Sequence, residues 1–434
     1  MESNYNKIIY DYVKNVSLQH SAPLHKYADL YQVNSILFAL MNYKAEKASQ
    51  AKPMLYKVKD QEAAKDFQKF NGFAKDTYET KLLKKAKEKG VEEIYLDDIT
   101  VTSPYYRTKR LLTKPNEMQS FGEFIYSLSA FYDISGFNLI NTQKVDGQVA
   151  ALYSLPTHQI TIEGGSPQDP VKAYQYDGLF TQKFDPKDCH ALRSFSTNYN
   201  KMGSHLYGTS KVQVCYADLQ TYIAALEREH SAFKTGDSAH LLFPKNADAQ
   251  IEASNDNTLL QKMRDGIRSA LWKKDEHRAA LVAQELGHIN LANPIGESIT
   301  LEVKKDIREI LAAVFMLPPE VVFNESSSST YNNGKENGRR ALHLGVFPFL
   351  NKQEEILSEE IIRPQTGLKF CFDKTIYDEL ALDKVEEMAK MKDIDFLTRR
   401  EKRQWFDYGD VSEGDSFEDA IEPVTPLNFD YGNS

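Results

Sequence analysis

The sequence predicts an α+β fold in which helices carry most of the chain and short antiparallel strands cluster in its middle. Two observations predict it. Apolar residues recur at three- and four-residue spacing over long stretches, as in Leu219, Tyr222, Ile223 and Leu226. Short alternating pieces, "VAALYSLP", "QITIEGG" and "VKAYQYDGLF", follow one another with Gly, Pro and Asp between them. At 434 residues, 41% hydrophobic and 26% charged, the chain is long enough for about two to four structural units with real cores.

Taken in order, residues 1–30 show no clear period. Val33, Ile36, Leu37, Leu40 and Met41 then define a helical face, Pro53 ends that helix, and "MLYKV" reads as a strand. From Lys57 to Arg110 the chain is rich in Lys, Glu and Asp and reads as a solvated helical layer. A turn at Pro115-Asn116 opens a helix with Phe121, Phe124, Ile125, Leu128 and Tyr132 on one stripe. Gly136 closes it before the strand "FNLINTQ". Val212 to Phe233 share a face up to the stop at Gly236, which predicts one helix of about 40 Å.

Residues 237–298 read as an insert: the strand "AHLLFP", the helix "NTLLQKMRDGIRSALW" and a strand-like piece near "LGHINLA". A second helix from about Ser298 carries Leu301, Ile307, Ile310, Leu311, Val314 and Phe315 until Pro318-Pro319 stop it. The polar stretch "NESSSSTYNNGKENG" follows, and then a helix from Lys335 to about Ile362 with Pro348 inside it, where a kink is expected. "LKFCFD" reads as a strand, and "LDKVEEMAKMKDIDFLTRREKRQWFDYG" as one or two charged helices. From Asp407 onward there are eight acidic residues and no basic one, the composition of a poorly ordered tail.

Chemistry is sparse. The net charge of −9 excludes a protein that coats nucleic acid by neutralising phosphates, but suits one that lets nucleic acid pass without sticking. Cys189, Cys215 and Cys371 follow no metal spacing and suit a reducing compartment. "MESNYNKIIYDYVKN" is too polar for a signal peptide, and no run approaches a membrane span, so synthesis in the cytoplasm and no membrane partner are expected.

"GSHLYGTS" has glycines at phosphate-loop spacing but lacks the lysine and any βαβ context, so it reads as a turn into the long helix. The ten histidines contain no metal spacing, and His190, His205, His230 and His343 read as surface or packing residues. Glu354-Glu355 and Glu359-Glu360 read as a solvated or channel-facing surface, "TRREKRQ" as a solvated face, and Cys215 as packing. No catalytic set, no cofactor and no metal site emerges.

The order of these pieces resembles the portal proteins (head–tail connectors) of tailed double-stranded-DNA phages, from about Tyr31 to Asp415. The resemblance rests on "VNSILFALMNYKAEKASQAKPMLYKV", "LLTKPNEMQSFGEFIYSLSAFYDISGFNLI", the long helix ending "AFKTG", and "REILAAVFMLPPEVVF". It continues through "STYNNGKENGRRALHLGVFPFLNKQEEILSEEI" and "LTRREKRQWFDYGDVSEGD". Each is weak alone; together, in order, they are a strong match. The segment 57–110 is longer than the family's spacer, the turn before the long helix survives only as "YGTSKV", and glycine stands where "NNGKENG" meets the following helix.

The resemblance implies a ring of about twelve copies at one capsid vertex of the virion. Double-stranded DNA is packaged through such a ring by a separate terminase ATPase and is later ejected through it. Adaptor, major capsid and scaffold proteins would be further partners, and the chain itself would not be an enzyme. Carried onto this chain, residues 1–208 and 363–382 form a wing, 209–236 and 299–323 the stem, and 237–298 a clip. Residues 324–334 form a tunnel loop, 335–362 the kinked helix, and 383–434 the crown helices and acidic tail.

The DNA-facing loop would then be Asn324, Glu325, Ser326, Ser327, Ser328, Ser329, Thr330, Tyr331, Asn332 and Asn333, with Lys335 at its far edge. Its Ser and Asn side chains would exchange hydrogen bonds with phosphate or water at little net cost. The clip docking surface would be Arg264, Arg268, Lys273 and Lys274. Two other classes stay open at this point: a nucleotide-using enzyme on "GSHLYGTS", and a helical scaffold whose stem stripes pack within a monomer or dimer.

Overall fold

The computed structural model describes residues 21–73, 77–164, 170–178, 180–197, 204–235, 240–244, 286–290, 299–323 and 331–380. The chain divides into two units, residues 1–210 with 316–434, and residues 211–315.

The first unit starts with a helix where the sequence showed no period, α1 (Ser21–Val33), followed by α2 (Ser35–Ser49). Asn34 separates them: its side-chain oxygen accepts the Leu37 N–H at 3.0 Å, satisfying a donor that a helix start leaves open. α2 buries Ile36, Leu37, Leu40 and Met41, the face its periodicity predicts.

The charged segment is more than a helical layer. It forms a hairpin of α3 (Gln61–Phe70) and α4 (Thr77–Gly90) inserted between the paired antiparallel strands β1 (Lys52–Val58) and β2 (Val91–Ile94). Ala64, Phe67, Leu83 and Ala86 turn inward onto Met54 and Tyr56, which holds the hairpin on the strands. Most of its lysines and glutamates lie on the outer side.

Next come α5 (Tyr106–Thr113) and α6 (Phe121–Ser135). α6 begins with a capping box in which Ser120 and Glu123 satisfy each other's backbone N–H. It ends at Gly136 in the left-handed region (φ 77°), where a side chain would run into the Thr209 and Gly208 backbone.

The sequence predicts one small sheet here, but there are two three-stranded antiparallel ones. β3 (Phe137–Val145), β4 (Gln148–Ser154) and β8 (Cys189–Arg193) pair in the order β4-β3-β8. β5 (Ile160–Gly164), β6 (Val171–Asp177) and β7 (Thr181–Phe184) form the other. β7 and β8 are too short and too polar to stand out by alternation. A short helix, α7 (Ser204–Tyr207), leads to the end of this part of the unit.

The second unit holds α8 (Lys211–Val214), α9 (Tyr216–Thr235), the paired strands β9 (His240–Pro244) and β10 (Leu286–Asn290), and α10 (Ile299–Phe315). The single helix expected over 209–236 is interrupted at Cys215, whose thiol donates to the Lys211 carbonyl at 3.1 Å. The run beyond it, 20 residues, spans about 30 Å rather than 40. Val212, Cys215, Leu219 and Tyr222 are buried, as are Ile307, Leu311, Ala312 and Phe315 on α10. Glu229 and Lys304 pair at 2.5 Å. Leu226 and Ile310, predicted on the same stripes, remain 39% and 46% exposed. The clip helix and Arg264, Arg268, Lys273 and Lys274 lie outside the described residues.

Back in the first unit, α11 (Pro319–Phe323) precedes the longest helical run. That run comprises α12 (Tyr331–Ala341), a π segment Leu342–Val346, α13 (Phe347–Glu355), a second π segment Ile356–Ile362, and α14 (Arg363–Thr366). It begins four residues before the expected Lys335 and continues to Gly367, which caps it in the left-handed region. β11 (Lys369–Asp373) then pairs with β1 to give the order β11-β1-β2. The crown and the acidic tail lie outside the described residues.

The main core gathers Leu342, Val346, Phe347, Leu350, Leu357 and Ile361 of this run around α6 and β11. Phe121 packs on Phe370 and Phe372 with ring centroids 6.2 Å apart. Burying each such aromatic contributes about 1.5–3 kcal/mol.

An ion pair is sealed beside this core. Lys44 on α2 and Asp133 on α6 are each 1% exposed, with Nζ 2.8 Å from both carboxylate oxygens. The ammonium also lies 5.7 Å from the Tyr132 ring centre and 5.5 Å from that of Phe349. Breaking a buried pair strands a charge, whereas replacing both partners with apolar groups removes the desolvation cost. Asp133→Ala is therefore expected to cost about 3–5 kcal/mol in urea unfolding, and Lys44→Met/Asp133→Leu far less. Equal losses in the two variants would mean that hydrogen-bonded shape, not desolvated charge, holds α2 on α6.

Candidate nucleic-acid interface

The described residues give both anchors of the polar loop. Asn324, Glu325, Ser326, Ser327, Ser328, Ser329 and Thr330 lie outside them. On the upstream side, the α10 helix stops at Phe315 and Met316 turns left-handed (φ 57°), an uncommon choice for a side chain with a Cβ. Pro318 and Pro319 then start α11, where Pro319 stands at the first position and loses no hydrogen bond. Val321 and Val322 of α11 face Phe38, Ala39 and Tyr43 of α2 across a groove of about 400 Å³.

On the downstream side, Tyr331, Asn332 and Asn333 form the first turn of α12 rather than the loop's end, with Lys335 just beyond them. Gly338 is buried: a side chain there would sit 2.9 Å from Cγ of Glu379. Glu379 in turn pairs with Lys47 of α2, and the Tyr377 hydroxyl donates to the Lys47 carbonyl at 2.7 Å. Burial, and then the Glu379 charge, push the Tyr43 hydroxyl up to about 12. The loop thus leaves one short helix seated on α2 and re-enters another that is stapled to α2.

Sequence reading missed Glu379, Lys47 and Tyr377, because nothing local marks a contact between residues about 330 positions apart. The first turns after the loop are basic: Lys335, Arg339 and Arg340 stand against Glu336, which lies 3.8 Å from Arg339.

Further along, the expected kink takes the form of a widened turn. Pro348 cannot donate to the Leu344 carbonyl, and its ring would crowd it. The helix widens just before it, so the Phe347 N–H bonds to Leu342 five residues back. The same device recurs before Pro364, where the Arg363 N–H bonds to Ser358.

The paired glutamates are not all solvated, as their spacing predicts. Glu354 is drawn into the core margin. Its carboxylate accepts the Phe372 N–H at 3.2 Å and lies 3.3 Å from the Lys374 ammonium, and burial raises its pKa. Ser358 accepts the Phe370 N–H at 3.1 Å, so both groups close the free edge of β11. Glu359 pairs with Arg363, and Glu360 lies 2.6 Å from His190.

Within "GSHLYGTS", Ser204–Tyr207 form the short helix α7 and Gly208 to Ser210 make a structural turn after it. Gly208 (φ 82°) lies so close to the Gly136 carbonyl that a Cβ would sit 2.4 Å from it, and the Ser194 hydroxyl bridges to Thr209. Among the described residues no group of His, Cys, Asp or Glu could hold a metal ion. No helix there is long and apolar enough to cross a membrane. Burial pushes the thiols of Cys189 and Cys215 up to about 11 and about 12, which suits packing residues rather than nucleophiles.

A portal-type fold is what this order of helices, small sheets and long interrupted helix defines. Residues 97–407 match the phage portal protein family, and the chain belongs to it. Members are structural channel components rather than enzymes.

The necks of gene transfer agent particles share the fold. The neck of an empty gene transfer agent (GTA) particle computed with C6 symmetry aligns at TM-score 0.57 and 17% identity, covering 91% of this chain and 95% of that one. The neck of a native GTA particle computed with C12 symmetry aligns at 0.56 and 16%, with the same coverage. An HK97-family phage portal protein from Corynebacterium diphtheriae aligns at 0.49 and 10%, covering 80% and 94%. No curated protein matches the chain.

Replacing Pro348 with Ala restores the missing donor and removes the crowding ring. Pro348→Ala is expected to raise stability by about 1–3 kcal/mol in urea unfolding. A lower midpoint would mean that packing around the π segment, and not the proline, sets the widened turn.

Proposed function

We propose that this chain forms a ring of about twelve copies at one vertex of a viral capsid, with double-stranded DNA entering and leaving through its centre. A separate terminase ATPase would drive packaging, and head–tail adaptors would dock on the finished ring alongside capsid and scaffold proteins. Synthesis would take place in the host cytoplasm and the final location would be the virion.

The observation that carries this reading is the polar loop of residues 324–330 set between two helices fixed on α2, in a chain of the portal family. Such a loop can meet a moving duplex without gripping it, since Ser and Asn exchange water and phosphate partners at little net cost. Its basic exit, Lys335, Arg339 and Arg340, adds a weak attraction on one side. At −9 per copy, a ring of twelve carries about −108 formally, a balance that favours passage over adhesion. The exposed Leu226 and Ile310 on the paired helices α9 and α10 support assembly, because a monomeric scaffold gains by covering them within one chain.

Native mass spectrometry with negative-stain microscopy of the full-length chain is expected to give rings of about twelve with a central hole wide enough for a duplex. A stable dimer without a hole would overturn the reading. Arg264, Arg268, Lys273 and Lys274 are proposed as the docking surface. The fourfold change to Glu is expected to abolish adaptor or terminase binding while rings still form, and retained binding would remove these residues from the interface.

A further inference from the structure

Helix α4 carries a positive face on a chain that is negative overall. Between Thr77 and Gly90 five lysines stand against two glutamates. Lys81, Lys85 and Lys89 recur every four residues with Lys84 beside them, so four lysines share one face with a single exposed acid, Glu88. Leu83 and Ala86 point the other way, into the cluster with Tyr56, Phe67 and Val91. Lys87, off the lysine face, pairs with Glu93 at 2.6 Å. Lys84, Lys85 and Lys89 are exposed and make no ion pair with any described residue.

The face is held firmly. A side chain at Gly90 would sit 2.4 Å from the Ala63 backbone, and the Gly90 carbonyl accepts the Lys59 and Asp60 N–H groups at 2.9 and 3.3 Å. The whole hairpin, residues 61–90, precedes the portion that matches the portal family, which starts at residue 97.

We propose that this lysine face is a separate, sequence-independent contact for the phosphate backbone of duplex DNA. Two features favour a polyanion over a protein partner. Lysine is depleted in the cores of protein interfaces, and Lys84, Lys85 and Lys89 are all exposed here. Successive lysines four residues apart rise about 6 Å along the helix, against one phosphate per about 3.4 Å of axis on each DNA strand, so each reaches roughly every second phosphate. Lysine contacts of this kind position a duplex without reading its bases. The choice of duplex DNA as the polymer rests on the portal reading; the phosphate chemistry does not.

The test is the affinity of the full-length protein for a random-sequence duplex, by fluorescence anisotropy between about 50 and 200 mM salt. Lys84→Gln/Lys85→Gln/Lys89→Gln is expected to weaken binding and to flatten the slope of log affinity against log salt by about 2.7 for each engaged copy. Lys26→Gln/Lys114→Gln/Lys352→Gln, three exposed lysines elsewhere, is expected to leave the slope unchanged. Equal losses in both triples would reduce the effect to net charge and overturn the proposal, as would an unchanged slope in the first. Native mass spectrometry of the same samples separates this result from the portal reading: a slope change in a chain that forms a stable dimer and no ring supports the face and overturns the ring.

Discussion

Two prolines inside one buried helical run impose the constraint on which the larger unit depends. The run from Tyr331 to Thr366 passes through the main core, so it cannot simply break at Pro348 or Pro364 without exposing Leu342, Val346, Phe347 and Ile361. A sharp kink would also leave carbonyls unpaired among apolar side chains, at a cost of about 1–3 kcal/mol each. Widening the turn before each proline meets both demands. The residue that precedes the ring bonds five positions back, and the crowded carbonyl moves aside. The core side chains stay inward because only one turn is stretched in each case.

The same run completes the sheet it lies against. β11 is an edge strand, and Phe370 and Phe372 direct their N–H groups away from β1. Ser358 and Glu354 take those donors, while Asn71 donates to the Phe372 carbonyl at 2.8 Å. Pro53 on β1 stands opposite Phe372, where no ladder donor is required of it. The edge is therefore closed by side chains from one helix and one loop, and Glu354 retains its place in low-dielectric surroundings through Lys374.

Periodicity made α2, α6, α9 and α10 legible, because each buries a face that repeats in the sequence, whereas β1, β3 and β11 bury consecutive residues and show only as short strand-like runs between turns and helices. It failed for α1, where Leu24, Ala28 and Leu30 are buried but spaced among polar residues that mask the stripe. It also failed for β2 and β7, four residues apiece, which are too short for alternation to show. Asn324 to Thr330 were legible as a polar stretch. The staple through Gly338, Glu379 and Lys47 was not. Long-range contacts of that kind leave no local trace, since Glu379 by itself is one more acid in a charged segment. Glu354 misled for the opposite reason: its neighbour Glu355 is exposed, and a pair of glutamates on a helix looks solvated until the strand beside it appears.

Why should the most polar stretch of the chain sit between firmly held helices? The anchors on its two sides give a physical answer. Val321 and Val322 seat the upstream flank on α2, and Glu379, packed against Gly338, pairs with Lys47 of the same helix on the downstream side. Both flanks therefore share one support, and that support is itself fixed, because the buried Lys44–Asp133 pair holds α2 on α6 beside the aromatic core. Loss of that pair would loosen both flanks together, since both rest on α2.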